Sequence, residues 1–343
     1  MDNPRQDPPD LAIIGGVDIE VLTWPELVRR LDGPSPARRA LAEGTWWRVL
    51  RNAYVDSVHA DVPQTRLAAA RAVLPAGVAL SHRSALWSLG LDVLDADQVL
   101  DITVPRGRHL EPRPGLRPHT AALPDHELCE RAGLLIVSAA RAFVDVARRE
   151  SLVEAVAVGD AVLRSGAATS EQLEISMAGA TGLRRVVAAR RVLPHLESRS
   201  ESLMESRLRM KLVLGGLPRP EAQFDVYDDR GVHCGRGDLR IDGVLLEYDG
   251  REARLKKSRF ISDRRRRSRI SDVGFEIREF TATDVYQRTD ADVCAEVQRA
   301  LAQAAPRDRS RFRTGPDTLR PPRLRPLPTL ADRAAARDRP SAA

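Results

Sequence analysis

Residues 237–250 read GDLRIDGVLLEYDG. Two short apolar-leaning runs flank Asp242-Gly243, the dipeptide that most strongly signals a two-residue β-hairpin turn. That turn sets the register: 241 opposite 244, 240 opposite 245, 239 opposite 246, and Asp238 opposite Glu247. Directly opposed side chains share a face, with Cβ atoms about 4.5–5.5 Å apart. Asp249 has the parity of Glu247 and points to the same face. Like charges placed opposite one another destabilise a sheet. Something positive therefore belongs between them: an arginine, a shared proton or a divalent cation. Mg²⁺ suits one or two carboxylates completed by water and phosphate oxygens.

The next segment supplies a second clue. REARLKKSRFISDRRRRSR, residues 251–269, holds ten Lys or Arg against two acids, a net +8 in 19 residues. So dense a run repels itself on an ordinary helix face and suits a phosphate-rich ligand. The chain as a whole carries +6, but ten arginines and four aspartates in residues 305–343 account for all of it. The basic character of the body is thus local. Three widely spaced cysteines, Cys129, Cys234 and Cys294, argue against a disulfide framework or a zinc cluster and for a reducing, cytoplasmic setting. No apolar run approaches the length of a membrane span, and the start of the chain lacks a signal-peptide pattern.

Composition and periodicity divide the chain into five parts. Residues 1–17 form a loose leader. Residues 18–60 read as helix, short basic helix (Ser35 as cap, Pro36 in the first turn, Gly44 as stop) and strand hairpin, the order of a winged helix-turn-helix. Residues 61–197 read as a mixed, mainly helical domain, with helices near 138–149, 151–164, 169–177 and 181–193 and a strand at VLDITVP. Residues 198–304 follow the order αβββαβα. The Arg/Pro-rich remainder, 305–343, has the composition of a disordered tail. The expected class is α+β and multidomain, with a mixed sheet in the C-terminal unit.

Asp238, a hairpin, then Glu247-Tyr248-Asp249 resembles the PD-(D/E)xK nuclease pattern, with Asp249 where that family usually has lysine. More narrowly, SESLMESRLR, GLPRPEAQ, GRGDLRIDGVLLEYDG, FISDRRRRSRI and GFEIREFTATDVY resemble the Vsr-type branch of the restriction-endonuclease-like proteins. WRVLRNAYVD, LSHRSAL, ITVPRG and SAARAFVDVARR resemble the AbiEi-type antitoxins of type IV toxin–antitoxin systems. The resemblance implies Asp238 and Glu247 as ligands of Mg²⁺ (or Mn²⁺), with Asp249 in or near the lysine position. It implies that Glu205 on the preceding helix orients the metal or a water, that Gln223 lies at the edge of the site, and that Asp263 and Arg266 bind phosphate or brace the site. Two departures stand out: Ala253 replaces a histidine common after the Asp-Gly, and Glu279 accompanies Arg278 where an arginine is usual.

The expected activity is Mg²⁺-dependent hydrolysis of DNA phosphodiesters. Lys256, Lys257, Arg264, Arg265 and Arg266 would grip the backbone, and Arg38 and Arg39 of the winged helix would make further phosphate contacts. The alternative is a non-catalytic DNA-binding regulator of the antitoxin kind with a degenerate nuclease domain. His82 reads as a capping or packing histidine, because no acid surrounds it in the sequence. Trp46, Trp47 and Trp87 read as core.

Overall fold

The computed structural model describes residues 19–60, 62–94, 99–250 and 257–304, and for residues 63 and 257–262 the backbone alone. The expected leader and tail, Ala253 and Lys256 lie outside these residues, as does the side chain of Lys257. The α+β, multi-unit architecture expected from sequence is what the chain adopts, with three separate sheets among the described residues.

The first unit is two helices and a hairpin: α1 (Trp24–Arg30), α2 (Pro34–Glu43), β1 (Trp46–Leu50) and β2 (Ala53–Asp56). Helix α2 starts one residue before Ser35. Gly33 is its cap, Pro34 fills the first turn, and Gly44 ends it in the left-handed conformation. Leu22, Leu27, Ala37 and Tyr54 form its small core, with Trp46 packed against them.

The middle unit is mixed and mainly helical, as expected, but it holds more strand than the one the sequence signalled. It is built on a five-stranded sheet in the order β5-β4-β3-β7-β6. These strands are β3 (Ala79–Leu80), β4 (Leu100–Pro105), β5 (Leu116–Ala121), β6 (Leu128–Arg131) and β7 (Leu134–Val137). Four of the five were hidden because they are short or polar: β3 has two residues, β5 carries Arg117, Pro118 and His119, and β6 reads LCER. Around the sheet lie α3 (Pro63–Val73), α4 (His82–Ser88), α5 (Ala139–Ala147), α6 (Leu152–Ser165) and α7 (Ser170–Gly179). The single helix expected over 181–193 is broken. Gly182 and Arg185 have left-handed backbones, leaving a short α8 (Val186–Ala189) and a 3-10 turn that contains Pro194.

The last unit runs α9 (Leu203–Leu214), β8 (Glu221–Tyr227), β9 (His233–Ile241), β10 (Val244–Tyr248), α10 (Lys257–Val273), β11 (Glu276–Phe280), α11 (Ala282–Tyr286) and α12 (Asp290–Gln303). This is the expected order, with one added short helix. The sheet order is β11-β10-β9-β8, with β10 and β11 parallel across α10 and the other neighbours antiparallel. The hairpin register is the one the Asp-Gly turn dictates: Ile241↔Val244, Arg240↔Leu245 and Leu239↔Leu246. Asp242 takes a left-handed backbone (φ 49°), as such turns require.

Helices α9 and α12 cover one face of this sheet through Leu208, Leu212, Leu239, Val244, Leu246, Phe280, Val293 and Val297. Helix α10 covers the other through Phe224, Val226, Leu245, Ile270 and Phe275. Ala222 and Phe224, two residues apart on β8, enter opposite cores. A regular strand cannot do this, because its side chains alternate with period two. Gln223 between them has φ 52° and breaks the ladder opposite Asp238.

Candidate functional site

That break is where the acids gather. Glu205 sits in the first turn of α9, where the Ser202 hydroxyl caps the helix by accepting its N–H at 3.1 Å. Its Oε2 accepts the N–H of Glu201 at 2.8 Å and Nε2 of Gln223 at 2.9 Å. Glu205 comes from the α9 side of the sheet and Glu247 from the α10 side. Asp238 feels the charge of both. Its Oδ2 accepts the Tyr248 N–H at 2.7 Å, so a side chain takes the place of the next rung of the ladder. Burial first, then the charge of Glu205, pushes the Asp238 carboxyl up to about 7; the Tyr248 N–H offsets part of this and Glu247 adds to it. Burial also raises the proton affinity of Glu205.

Glu247 is 7% exposed. Its two oxygens accept Arg266 Nη1 at 2.7 Å and Nη2 at 3.0 Å, a bidentate pair. Arg266 Nη1 also donates to the Arg236 carbonyl at 2.9 Å. The stem of Arg266 crosses Gly235, where an added Cβ would lie 2.8 Å from its Cγ. Glu279 is the register partner of Glu247 on β11, and Arg267 bridges the two, paired with Glu279 and 3.6 Å from Glu247 Oε2. An arginine is thus the cation opposite this hairpin, one of the three solutions the sequence allowed. Arg236 and Arg240 pair elsewhere, with Asp225 and Glu221.

Of the residues expected at the site, Glu205, Gln223, Asp238, Glu247 and Arg266 converge. Asp249 is half-buried at the end of β10, its N–H donated to Phe280 O at 2.8 Å. Asp263 is exposed, 3.9 Å from Arg266 Nε. Arg264 and Arg265 are exposed, whereas Arg266 and Arg267 turn inward. Arg38 and Arg39 are exposed on α2. Trp47 is not core: it stands 56% exposed on β1, beside exposed Arg48 and Arg51. Trp87 is core, with Arg66 over its ring at 5.8 Å. All three cysteines are free. Among the described residues no helix is long and apolar enough to cross a membrane.

His82 is buried and in ring contact with His119, as a packing histidine would be, but an acid does stand beside it: neighbouring strands bring Asp101 and His119 to its ring. No spacing in the sequence signals this, because the three residues come from α4, β4 and β5.

The C-terminal unit is locked to the middle one. Arg209 on α9 and Asp160 on α6 form an ion pair at 2.7 Å with both side chains fully buried. Arg207 holds both oxygens of Glu154 at 2.7 and 2.8 Å, and Arg83 binds Glu150 and Glu154. A cleft of about 830 Å³ lies along this junction, its walls including Arg83, Asp101, Arg117, Glu154, Arg207 and Tyr286.

Fold and site define an α+β protein with a buried acid cluster at a break in its C-terminal sheet. The chain belongs to the family of the uncharacterized Mycobacterium tuberculosis protein Rv2248 (strain ATCC 25618 / H37Rv). The two are 31% identical over 229 residues, 66% of this chain and 81% of that protein. The uncharacterized protein MT2308 of strain CDC 1551 / Oshkosh matches equally. No family model matches. Among solved structures, the RV2827C protein of M. tuberculosis is similar with a TM-score of 0.36 and 18% identity, over 60% of this chain and 83% of that one.

Proposed function

We propose that the protein is a Mg²⁺-dependent DNA endonuclease with its centre at Asp238 and Glu247. The observation that carries this is the state of Asp238: a carboxyl pushed up to about 7 by burial and by a neighbouring acid. Strongly perturbed acids that lie together with a specific charge partner cluster at functional sites. The left-handed backbone of Gln223 adds to it, since such strain costs on the order of 1–3 kcal/mol and concentrates at functional sites.

The donor set fits a hard cation. Asp238 and Glu247 would hold it, relieving the repulsion that raises Asp238. Mg²⁺ there would act as a Lewis acid toward a phosphodiester. Arg266 would release one Glu247 oxygen and turn its fork to the phosphate, a geometry guanidinium suits. Glu205, its proton affinity raised by burial, would accept a proton from the attacking water, while Gln223 Nε2 and the Glu201 N–H fix its orientation. Arg264 and Arg265 on α10, and Arg38 and Arg39 on α2, would contact the backbone, with Trp47 free to stack on a base.

Supercoiled plasmid incubated with the pure full-length chain and Mg²⁺ or Mn²⁺ should be nicked. Asp238→Ala should lower the rate at least about 100-fold. Equal rates would end the proposal.

The arginine fork on Glu247 favours a second reading, a DNA-binding regulator of the antitoxin kind in which Arg266 permanently replaces the cation. It expects DNA binding without cleavage and no Mn²⁺ affinity by calorimetry.

A further inference from the structure

The middle unit holds a second cluster of metal-ligating groups, remote in sequence from the acids of the C-terminal sheet. His82 opens α4 directly after β3, Asp101 lies on β4 and His119 on β5. Sheet pairing brings them together: Leu80 partners Ile102, the Ser81 N–H donates to Asp101 O at 3.0 Å, and His119 partners Thr103. One ligand atom from each of the three lies within 4.8 Å of the other two. The imidazole rings are 4.1 Å apart between centroids.

All three are buried, at 6%, 8% and 9% exposure for His82, Asp101 and His119. His119 Nε2 is 2.7 Å from Asp101 Oδ1, and His82 Nδ1 is 3.0 Å from Ser81 Oγ. The remaining nitrogen of His82, Nε2, is buried with no hydrogen-bond partner. Leaving a buried polar atom unmatched costs about 1–3 kcal/mol, and native structures rarely tolerate it without a reason. His82 also has a left-handed backbone, φ 52°, so strain as well as an unmatched atom is concentrated in this one residue.

We propose that His82, Asp101 and His119 bind a divalent first-row transition cation, zinc by preference. Two imidazoles and one carboxylate are the donor set of such ions rather than of Mg²⁺ or Ca²⁺. Three protein ligands leave a fourth position for solvent or substrate. Asp101 lies in the wall of the interdomain cleft, which supplies that access. Ser81 plays the part that outer hydrogen bonds play at metal sites: with Nδ1–H donated to its hydroxyl, Nε2 presents the lone pair. Arg117 Nη1, 3.6 Å from Asp101 Oδ1, is the cation the metal would outcompete.

The site stands apart from the nuclease proposal and is tested separately. The full-length chain without a tag is stripped with chelator and titrated with Co²⁺, read by its visible d–d absorption. Expected is the intense band of a tetrahedral site at one equivalent, abolished by Zn²⁺ and untouched by excess Mg²⁺. His82→Gln and His119→Gln, with Asp101→Asn as a near-isosteric partner, should each bind at least about tenfold more weakly. His109→Gln, at an exposed histidine outside both clusters, should bind as the natural chain does. Circular dichroism reports whether each variant is folded. No band from the folded natural chain, or a band that survives in His82→Gln and His119→Gln, overturns the proposal.

Discussion

Arg266 on α10 holds both carboxylate oxygens of Glu247 on β10, at 2.7 and 3.0 Å, with Glu247 nearly buried. Replacing the arginine leaves nearly buried Glu247 beside its register partner Glu279 with only Arg267, 3.6 Å away and shared with Glu279, to offset its charge. Arg266→Met should therefore cost roughly 2–3 kcal/mol in urea unfolding, and Glu247→Gln in the same chain should restore most of it. Calorimetry on Arg266→Met should also show tighter Mn²⁺ binding, because a competitor for the carboxylate is gone. A neutral Arg266→Met would mean the pair holds nothing together.

Asp238 gives the protein a pH signature. Its folded pKa of about 7 lies above the ordinary 3.8, so the folded chain retains a proton that the unfolded chain has lost between those values. The associated stability is fully present below about pH 4 and is lost as pH rises to about 7. Asp238→Asn, always neutral, removes this loss. Relative to the natural chain it should gain roughly 2 kcal/mol between pH 5 and pH 8, measured from melting curves at both. An equal offset at the two pH values would contradict the raised pKa.

The pair Arg209–Asp160 is the deepest charge contact between the middle and C-terminal units. Arg209 has no exposure, and its Nε and Nη1 lack partners. Asp160 also accepts the Glu197 N–H at 2.6 Å. Arg209→Met should cost about 3–5 kcal/mol by stranding a buried carboxylate. Adding Asp160→Asn, which keeps an acceptor for Glu197, should recover at least half, checked by denaturant midpoints of the single and double variants.

The arginines of α10 divide into two sets, and the division is measurable. Arg264 and Arg265 face solvent, while Arg266 and Arg267 are tied to Glu247 and Glu279. If the exposed pair contacts phosphates, each alanine substitution should reduce the slope of log K against log salt by about 1. Fluorescence anisotropy with labelled duplex at several salt concentrations reads this directly. Unchanged slopes in both variants would remove α10 from the interface.

The local part of the fold was legible in the amino-acid order. A two-residue turn has one register, so Asp242-Gly243 alone dictates which residues of β9 and β10 oppose one another. Helical spacing and end signals likewise placed α5, α6 and α7 within two residues. The opposition of acids in the hairpin also demanded a cation from the bare sequence. Which cation, and what joins it, came only from tertiary structure. Arg266 can turn onto Glu247 because α10 crosses back over β9 at Gly235. Glu205 can reach the same cluster because Gln223 abandons strand geometry and lets β8 change faces. His82, Asp101 and His119 meet because pairing of β3, β4 and β5 ignores the distance between them along the chain. Short-range turn and helix rules act over a few residues, whereas strand pairing and helix packing join residues that no sequence interval relates.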